Sequence, residues 1–359
     1  MKIIRFPLTK NKSLQAWNAA DELIMENFQA NDNTVLAITN DRFGYLSCNL
    51  NHMKPISVVA FKSQELALNY NLEENELSAT EDSFVSPFDS FPNKVEQAII
   101  KVPKSMELYR LYLEQICENS TDDIEITAAF MTKYFNKQMV EISEEYFENV
   151  EQSKAKKKAR LIIMKGKKSF EKHELINNVK INDKLSLKQY YGVFASSKID
   201  IATRYLLENL PLFKSELQIM DLASGNGVIA NHIIDKYKNN KWQTPHLHLV
   251  EDSILAIESS KLNLQGDNIH FYYDANMESI EAESMDMIVS NPPFHFEHEE
   301  NTEISLNLFR KAHSSLKSGG RFILVYNRHL NYNPFLKSIF EKTNFVAESN
   351  RFVVLECWK

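Results

Sequence analysis

Asp221-Leu222-Ala223-Ser224-Gly225-Asn226-Gly227 and, further on, Ser290-Asn291-Pro292-Pro293-Phe294 are the two stretches on which the fold turns. Each ends a short apolar run, Ile219 to Leu222 in the first case and Met285 to Ser290 in the second. An apolar run of this kind that stops at glycine or proline reads as a buried strand of a parallel sheet. The pattern repeats around them: Leu247 to Val250 is a strand that closes on Glu251, and Phe322 to Tyr326 is another. Helical faces separate these strands. They are Ile229, Ile233 and Tyr237, then Ile254, Ile257 and Leu262, then Phe309, Ala312 and Leu316 before the turn Lys317-Ser318-Gly319-Gly320. Strands alternating with helices predict an open α/β sheet covered on both faces. Arg351 to Trp358 adds an antiparallel edge.

The first half is patterned more faintly. Leu14, Trp17, Ala20 and Ile24 trace a helical face, and Val35 to Ile38, Val58 to Phe61 and Val95 to Val102 are strand-like. It echoes the second half. Thr39 to Gly44 follows a strand as Asp221 to Gly225 does, and Ser63 to Asn71 mirrors Ser253 to Asn263. Val102-Pro103-Lys104 falls where Asn291-Pro292-Pro293 would stand. A chain of 359 residues is expected to hold two domains, here 1–178 and 179–359, the first a duplicate that has lost its chemistry.

In an open α/β sheet, ligands bind outside the carboxyl ends of the strands, where Asn291 sits. An exocyclic amine conjugated to a base is a poor nucleophile, because its lone pair is delocalised into the ring. It needs acceptors that favour a pyramidal nitrogen, and the Asn291 side-chain oxygen and the Pro292 carbonyl would supply them. Pro292 and Pro293 fix that carbonyl by their locked φ angles, and Phe294 would stack on the base. Upstream, Gly225 and Gly227 let a ligand approach the backbone, and the helix start beyond them suits an anionic group. In S-adenosylmethionine that group is the methionine carboxylate. Glu251 would accept hydrogen bonds from the ribose hydroxyls, and Asp274, after Phe271-Tyr272-Tyr273, would take the adenine amine or hold a turn. Asp221, Ala223, Gly225, Gly227, Glu251, Asp274 and Asn291 are therefore the expected cofactor residues, and Asn291 to Phe294 the expected catalytic ones.

The net charge of −7 argues against nucleic acid until its distribution is examined. Residues 151–188 hold twelve basic and four acidic side chains, so this segment carries +8 and the remainder −15. Lys156, Lys157 and Lys158 are candidate phosphate contacts; the alternative is a solvated turn before a strand at Arg160 to Met164. Arg328, beyond the strand end at Asn327, would face nucleic acid or serve structure. His295 and His298 with Glu297 and Glu299 suggest a metal only weakly, and no step here needs one. The three cysteines are far apart, as expected of reduced, packed thiols. No membrane-length apolar stretch or signal core is visible, so the expected location is the cytoplasm, and the expected state a monomer without metal.

The chain resembles the bacterial family that forms N2-methylguanine in ribosomal RNA, in its large-subunit branch. The stretches that carry the resemblance include Leu14 to Asp21, Asn40 to Gly44, Lys157 to Ile162, Asn291 to His295, Asn327 to Leu330 and Phe352 to Leu355. It implies two tandem class I, Rossmann-like methyltransferase domains, the N-terminal one degenerate and devoted to recognition. It also implies S-adenosylmethionine as cofactor and 23S ribosomal RNA as substrate. Ala223 and Ser224 replace the family's usual glycine and cysteine, and Ser196 stands without the arginine that usually follows, leaving Phe194 and Asp200 as pocket candidates. Asn-Pro-Pro also marks enzymes acting on adenine in DNA or glutamine in protein, which commonly continue with tyrosine. A 16S ribosomal RNA enzyme and a catalytically silent RNA-binding scaffold remain open alternatives.

Overall fold

The structure, a computed structural model, describes every residue except 7, 9–13, 32–33, 81–82, 184, 196–197, 293–294, 297–298 and 301. It gives the backbone alone of 295–296, 299–300 and 302–304. The chain divides into two units, Met1–Leu175 and Ile176–Lys359. In the first, the strands are β1 (Leu36–Thr39), β2 (Ile56–Val58), β3 (Phe84–Val85), β4 (Val95–Lys101), β5 (Ser120–Met131), β6 (Phe147–Gln152) and β7 (Ala159–Lys167). Its helices are α1 (Ala19–Asn27), α2 (Tyr45–Asn49), α3 (Lys62–Glu74), α4 (Met106–Glu118) and α5 (Gln138–Tyr146).

The second unit opens with the hairpin β8 (Ile176–Lys180) and β9 (Ser186–Tyr190), so a boundary at 178/179 would cut β8. It continues through α6 (Ile201–Asn209), β10 (Gln218–Leu222), α7 (Val228–Asn239), β11 (His246–Glu251), α8 (Ile254–Asn263), β12 (Ile269–Tyr273) and β13 (Met285–Ser290). Then come β14 (His295–Phe296), β15 (Glu299–Glu300), α9 (Thr302–Ser315), β16 (Leu316–Asn327), α10 (Asn333–Leu336), β17 (Lys342–Glu348) and β18 (Phe352–Trp358).

The first sheet runs β3-β2-β1-β4-β5-β7-β6 and the second β12-β11-β10-β13-β16-β18-β17. Counted from each unit's own first sheet strand, the order is the same. In both, five strands are parallel and the last two make an antiparallel edge. Successive residues of the second sheet bury on alternate faces. Met220, Leu222, Ile288, Phe322 and Leu324 pack in one cluster, and Ile219, Met287, Val289, Ile323 and Val325 in the other. That two-sided burial is why these strands read as continuous apolar runs.

Two local expectations shift. Lys317 to Gly320 is not a turn but an irregularity inside β16, whose pairing with β13 jumps from Leu316 to Arg321. The segment stays in the sheet because the C-terminal residue holds it: Gly319 N–H donates to the Lys359 carbonyl at 2.7 Å, and Lys359 N–H to that of Gly320 at 3.0 Å. Helix α1 begins at Ala19 rather than Leu14, because Asn18 and Asp21 form a reciprocal capping box there.

The internal echo is real but its register differs. Gly44 and Gly227 each precede a helix in the left-handed conformation, at φ +76° and +79°. A Cβ on either would lie within 2.7 Å of a leucine, Leu68 or Leu264. Four residues earlier, Asn40 and Ala223 also match, at φ 58° and 60°. Gly44 therefore corresponds to Gly227, not Gly225. Asn71 and Asn263 confirm the alignment. Asn71 donates to the carbonyls of Phe43, Ala67 and Ile4, and Asn263 to those of Asn226, Ser259 and Lys188. This places Phe61, not Ser63, opposite Ser253; both are helix N-caps. Since Thr39 pairs with Ile100 and Leu222 with Ser290, the residue matching Asn291 is Lys101 rather than Val102.

Candidate active site

The site grows from the carboxyl ends of β10, β11, β12 and β13. After β10 the backbone passes through left-handed conformations at Ala223, Gly225 and Gly227. Gly227 needs its missing side chain, because Leu264 and Ser260 crowd that position. Gly225 is different. A Cβ there would meet nothing within 4 Å, so open space lies beside its Cα. The loop is fixed from three sides. Ser260 Oγ donates to the Gly225 carbonyl at 2.9 Å, Asn263 holds the Asn226 carbonyl, and Asn226 Nδ2 donates to Gln189 Oε1 at 2.8 Å. Gln189, fully buried on β9, in turn donates to the carbonyls of Val193 and Phe194. It thereby ties the loop carrying Phe194, a residue 77% exposed, to the glycine loop.

Glu251 closes β11 under this loop. Its Oε2 accepts from Gly225 N–H at 2.8 Å and its Oε1 from Ser253 N–H at 3.0 Å. Burial pushes its pKa up to about 7 against the opposing pull of the Gly225, Ser253 and Asp252 backbone N–H groups. Asp221 is wholly buried; its Oδ2 accepts from Ala230 N–H, and burial raises its pKa well above the usual range. Asp221 Oδ1 and Ser224 Oγ are buried polar atoms without a partner among the described residues. Asp274 is joined to Glu251 through its backbone N–H, and its carboxylate accepts from Asn276 and Ser279 N–H. It therefore shapes its own turn at the edge of the site.

On β13, Ser290 Oγ donates to the Leu222 carbonyl and fixes the strand end beside the glycine loop. Asn291 follows. Its Nδ2 donates to Thr203 Oγ1 at 2.8 Å and to Asp200 Oδ2 at 3.2 Å. A carboxylate can only accept, so this settles which amide atom is nitrogen and turns Oδ1 away from α6. Pro292 is buried behind it; Pro293 and Phe294 lie outside the described residues.

Other expected residues are placed elsewhere. Arg328 stands past the end of β16, pairs with Glu348 at 2.9 Å, and lines an open cleft with Asn327, His329, Asn350 and Arg351. Lys156, Lys157 and Lys158 belong to the first unit. Lys157 and Lys158 form the tight turn before β7, both at positive φ. Lys156 and Lys157 pair with Glu26 and Glu22 of α1 at 2.7 and 2.8 Å. Ser196, Glu297 and His298 lie outside the described residues, as do the side chains of His295 and Glu299. The described residues contain no group of metal-ligating side chains. The sequence reading missed Gln189, Asn226, Thr203, Ser260 and Asn263. Only Asn263, through its echo in Asn71, left a trace in the sequence.

At the matched positions the first unit lacks the acids, the open glycine and the strand-end asparagine of this site. Ile38 stands for Asp221, Arg42 for Gly225, Val59 for Glu251, Pro87 for Asp274 and Lys101 for Asn291. Lys101 forms an ion pair with the buried Asp21.

Residues 184–356 match the methyltransferase small domain family, and residues 1–168 the RLMG N-terminal domain family. Topology, acid-closed glycine loop and family match together define a class I methyltransferase whose domain has been doubled. Over 99% of its length the chain is 29% identical to the ribosomal RNA large subunit methyltransferase G of Pseudoalteromonas translucida, covering 95% of that protein. It is likewise 29% identical to the methyltransferase G of Yersinia enterocolitica, with 99% and 91% covered. Along nearly its whole length the chain is thus similar to proteins named ribosomal RNA large subunit methyltransferase G. Among solved structures it resembles the T. thermophilus 16S rRNA N2 G1207 methyltransferase (RsmC), determined in complex with AdoMet and guanosine. The TM-score is 0.76 at 18% identity, over 95% of this chain and 92% of that one, which is a likeness of fold.

Proposed function

We propose that the protein transfers a methyl group from S-adenosylmethionine to the exocyclic N2 of a guanine in ribosomal RNA, with 23S RNA of the large subunit as substrate. The observation that carries this reading is the juxtaposition of the Gly225–Glu251 cradle on β10 and β11 with an outward-turned Asn291 Oδ1 on the neighbouring β13. The residues present fit the cofactor: the floor at Gly225 is open, and Asp221 Oδ1 and Ser224 Oγ are buried atoms in want of a partner. Gly225 would pass close to the methionine portion, Glu251 would take the ribose hydroxyls and Asp274 would border the adenine. When bound, the cofactor supplies an electrophilic methyl group. Asn291 Oδ1 and the Pro292 carbonyl accept from the guanine amine, hold it pyramidal and favour the positive charge that grows on it. Pro293 and Phe294 would complete the base pocket, with Phe194 at its rim.

The large subunit is favoured because the relatives alike over nearly the full chain are named for it. A silent scaffold is disfavoured because the second unit keeps the polar groups that the first has replaced. The first unit would then serve recognition. Lys156 and Lys157 are held by exposed ion pairs worth little, so phosphates can compete for them, and Lys158 and Arg328 would add contacts. The enzyme is proposed to act as a monomer, without metal, in the cytoplasm; no described helix is long and apolar enough to cross a membrane. Mass mapping of ribosomal RNA from a strain lacking the protein tests the reading. One N2-methylguanine should vanish from 23S RNA; its loss from 16S RNA instead would move the substrate to the small subunit.

A second test uses the raised pKa of Glu251. Ribose hydroxyls bind the ionised carboxylate better than the neutral acid, so cofactor affinity should rise with pH up to about 7 and level off above. Below that point it should fall by up to about tenfold per pH unit. In the cofactor-free protein the sign is opposite. A carboxyl with a raised pKa lends stability below its ordinary value of 4.5 and loses it as pH climbs through about 7. Glu251→Gln should flatten the affinity profile and weaken binding by about 1.5–3 kcal/mol at pH 8. Calorimetry across this range reads both; a profile as steep as in the unaltered protein would remove Glu251 from the site.

A further inference from the structure

The Asn291 amide has two chemical jobs that pull in different directions. Its oxygen must face the substrate amine, and its own N–H groups must find acceptors behind it. Free rotation about the side chain would present nitrogen to the amine as readily as oxygen, and an N–H cannot accept. Two groups on the first turn of α6 remove that freedom. Thr203 Oγ1 lies 2.8 Å and Asp200 Oδ2 3.2 Å from Asn291 Nδ2. Asp200 is itself fixed as the N-cap of α6, its carboxylate accepting from Thr203 N–H at 2.9 Å. Thr203 is buried.

We propose that Asp200 and Thr203 are positioning residues: together they aim Asn291 Oδ1 at the guanine amine, and the Asp200 charge, one hydrogen bond behind, makes that oxygen a stronger acceptor. A hydrogen bond from Nδ2 to a carboxylate polarises the amide and moves negative charge onto Oδ1. As methyl transfer proceeds, positive charge grows on the amine and is felt through this chain, so the effect is larger in the transition state than in the bound complex. The first unit supplies an independent observation. Its residue matching Asn291 is Lys101, and its residue matching Thr203, third in the helix that begins at Ala19, is Asp21. Those two are also joined, as an ion pair. The same strand-end-to-helix link persists where the chemistry is gone, but there the strand-end group is a cation with no acceptor to offer.

This inference rests on the proposed role of Asn291. Single turnover with labelled S-adenosylmethionine and 23S RNA isolated from a strain lacking the protein tests it, with cofactor affinity measured beside it. Asp200→Asn keeps an oxygen for the helix cap and for Nδ2 but removes the charge. It should slow the transfer step by about tenfold, with cofactor Kd and RNA KM within about twofold. Thr203→Val should slow it similarly, and Thr203→Ser should restore it. Native rates in both Asp200→Asn and Thr203→Val, with Asn291→Ala inactive, would overturn the positioning role and leave the function standing. So would a loss of cofactor binding that parallels the loss of rate, the mark of a cap that only holds the helix. An active Asn291→Ala enzyme would overturn both the positioning role and the role assigned to Asn291, while the methyl transfer itself would stand.

Discussion

Replacing Asn291 by alanine is expected to cut methyl transfer by about 10²–10³-fold, or ~3–4 kcal/mol, the loss typical of removing one preorganised polar group. The reason lies in what remains. Alanine leaves the Pro292 carbonyl to act without the amide oxygen beside it, and it leaves Thr203 Oγ1 and Asp200 Oδ2 without their amide donor. The amine would meet a site polarised for charge but without the oxygen that directs its lone pair. Cofactor affinity should change little, because Gly225, Glu251 and Asp274 lie at the ends of β10, β11 and β12 and their hydrogen bonds run to one another, to Ser253, Asn276 and Ser279 rather than to Asn291. Single-turnover rates and calorimetry on one preparation separate the two effects. A near-normal rate would remove this residue from the chemistry.

Arg321→Met should cause the largest loss of stability, about 3–5 kcal/mol. Arg321 is 1% exposed on β16. Its guanidinium bonds to both oxygens of Glu216, to Glu356 Oε1 at 2.6 Å and to the Pro211 carbonyl at 2.7 Å, and it lies 4.0 Å from the Phe213 ring centroid. Methionine matches the volume and removes every donor, stranding two buried carboxylates. For a domain of this size that corresponds to a fall in melting temperature on the order of 10 °C. Combining Arg321→Met with Glu216→Gln and Glu356→Gln should recover much of it, since neutral partners cost far less to bury than lone charges. Thermal melts of the single and triple variants check both points, and a single variant as stable as the parent would show that the network is dispensable.

The legible part of this protein is the part written in local chemistry. Ile219 to Leu222 and Met285 to Ser290 are buried on both faces, so apart from Asp221 and Asp286 they run apolar without alternation, and their ends had to be glycine, proline or a polar turn. Glu251 and Asn291 were visible for the same reason: each stands at the first polar position after such a run. The first half was harder to read because its copies of those positions are Ile38, Arg42, Val59, Pro87 and Lys101, which carry no common chemistry. The echo was nonetheless detectable through Gly44 and Asn71, whose roles are geometric rather than catalytic. Its register slipped by one or two residues because resemblance of residue type was used where backbone conformation decides. The basic segment was only half legible for a related reason: composition displayed Lys156 and Lys157 but not the acids Glu26 and Glu22, far earlier in the chain, that fold against them.

By itself the sequence determined the sheet-and-helix alternation, the doubling, the glycine loop and the acceptors at the strand ends, because each follows from residues adjacent in the chain. Only the tertiary structure decided how those acceptors are aimed. Thr203 and Asp200 lie 88 and 91 positions before Asn291, and Gln189 lies 37 before Asn226. A hydrogen bond over such a separation depends on which helix packs over which strand end. Hydrophobic burial fixes that arrangement across the whole sheet, and no periodicity in the chain records it.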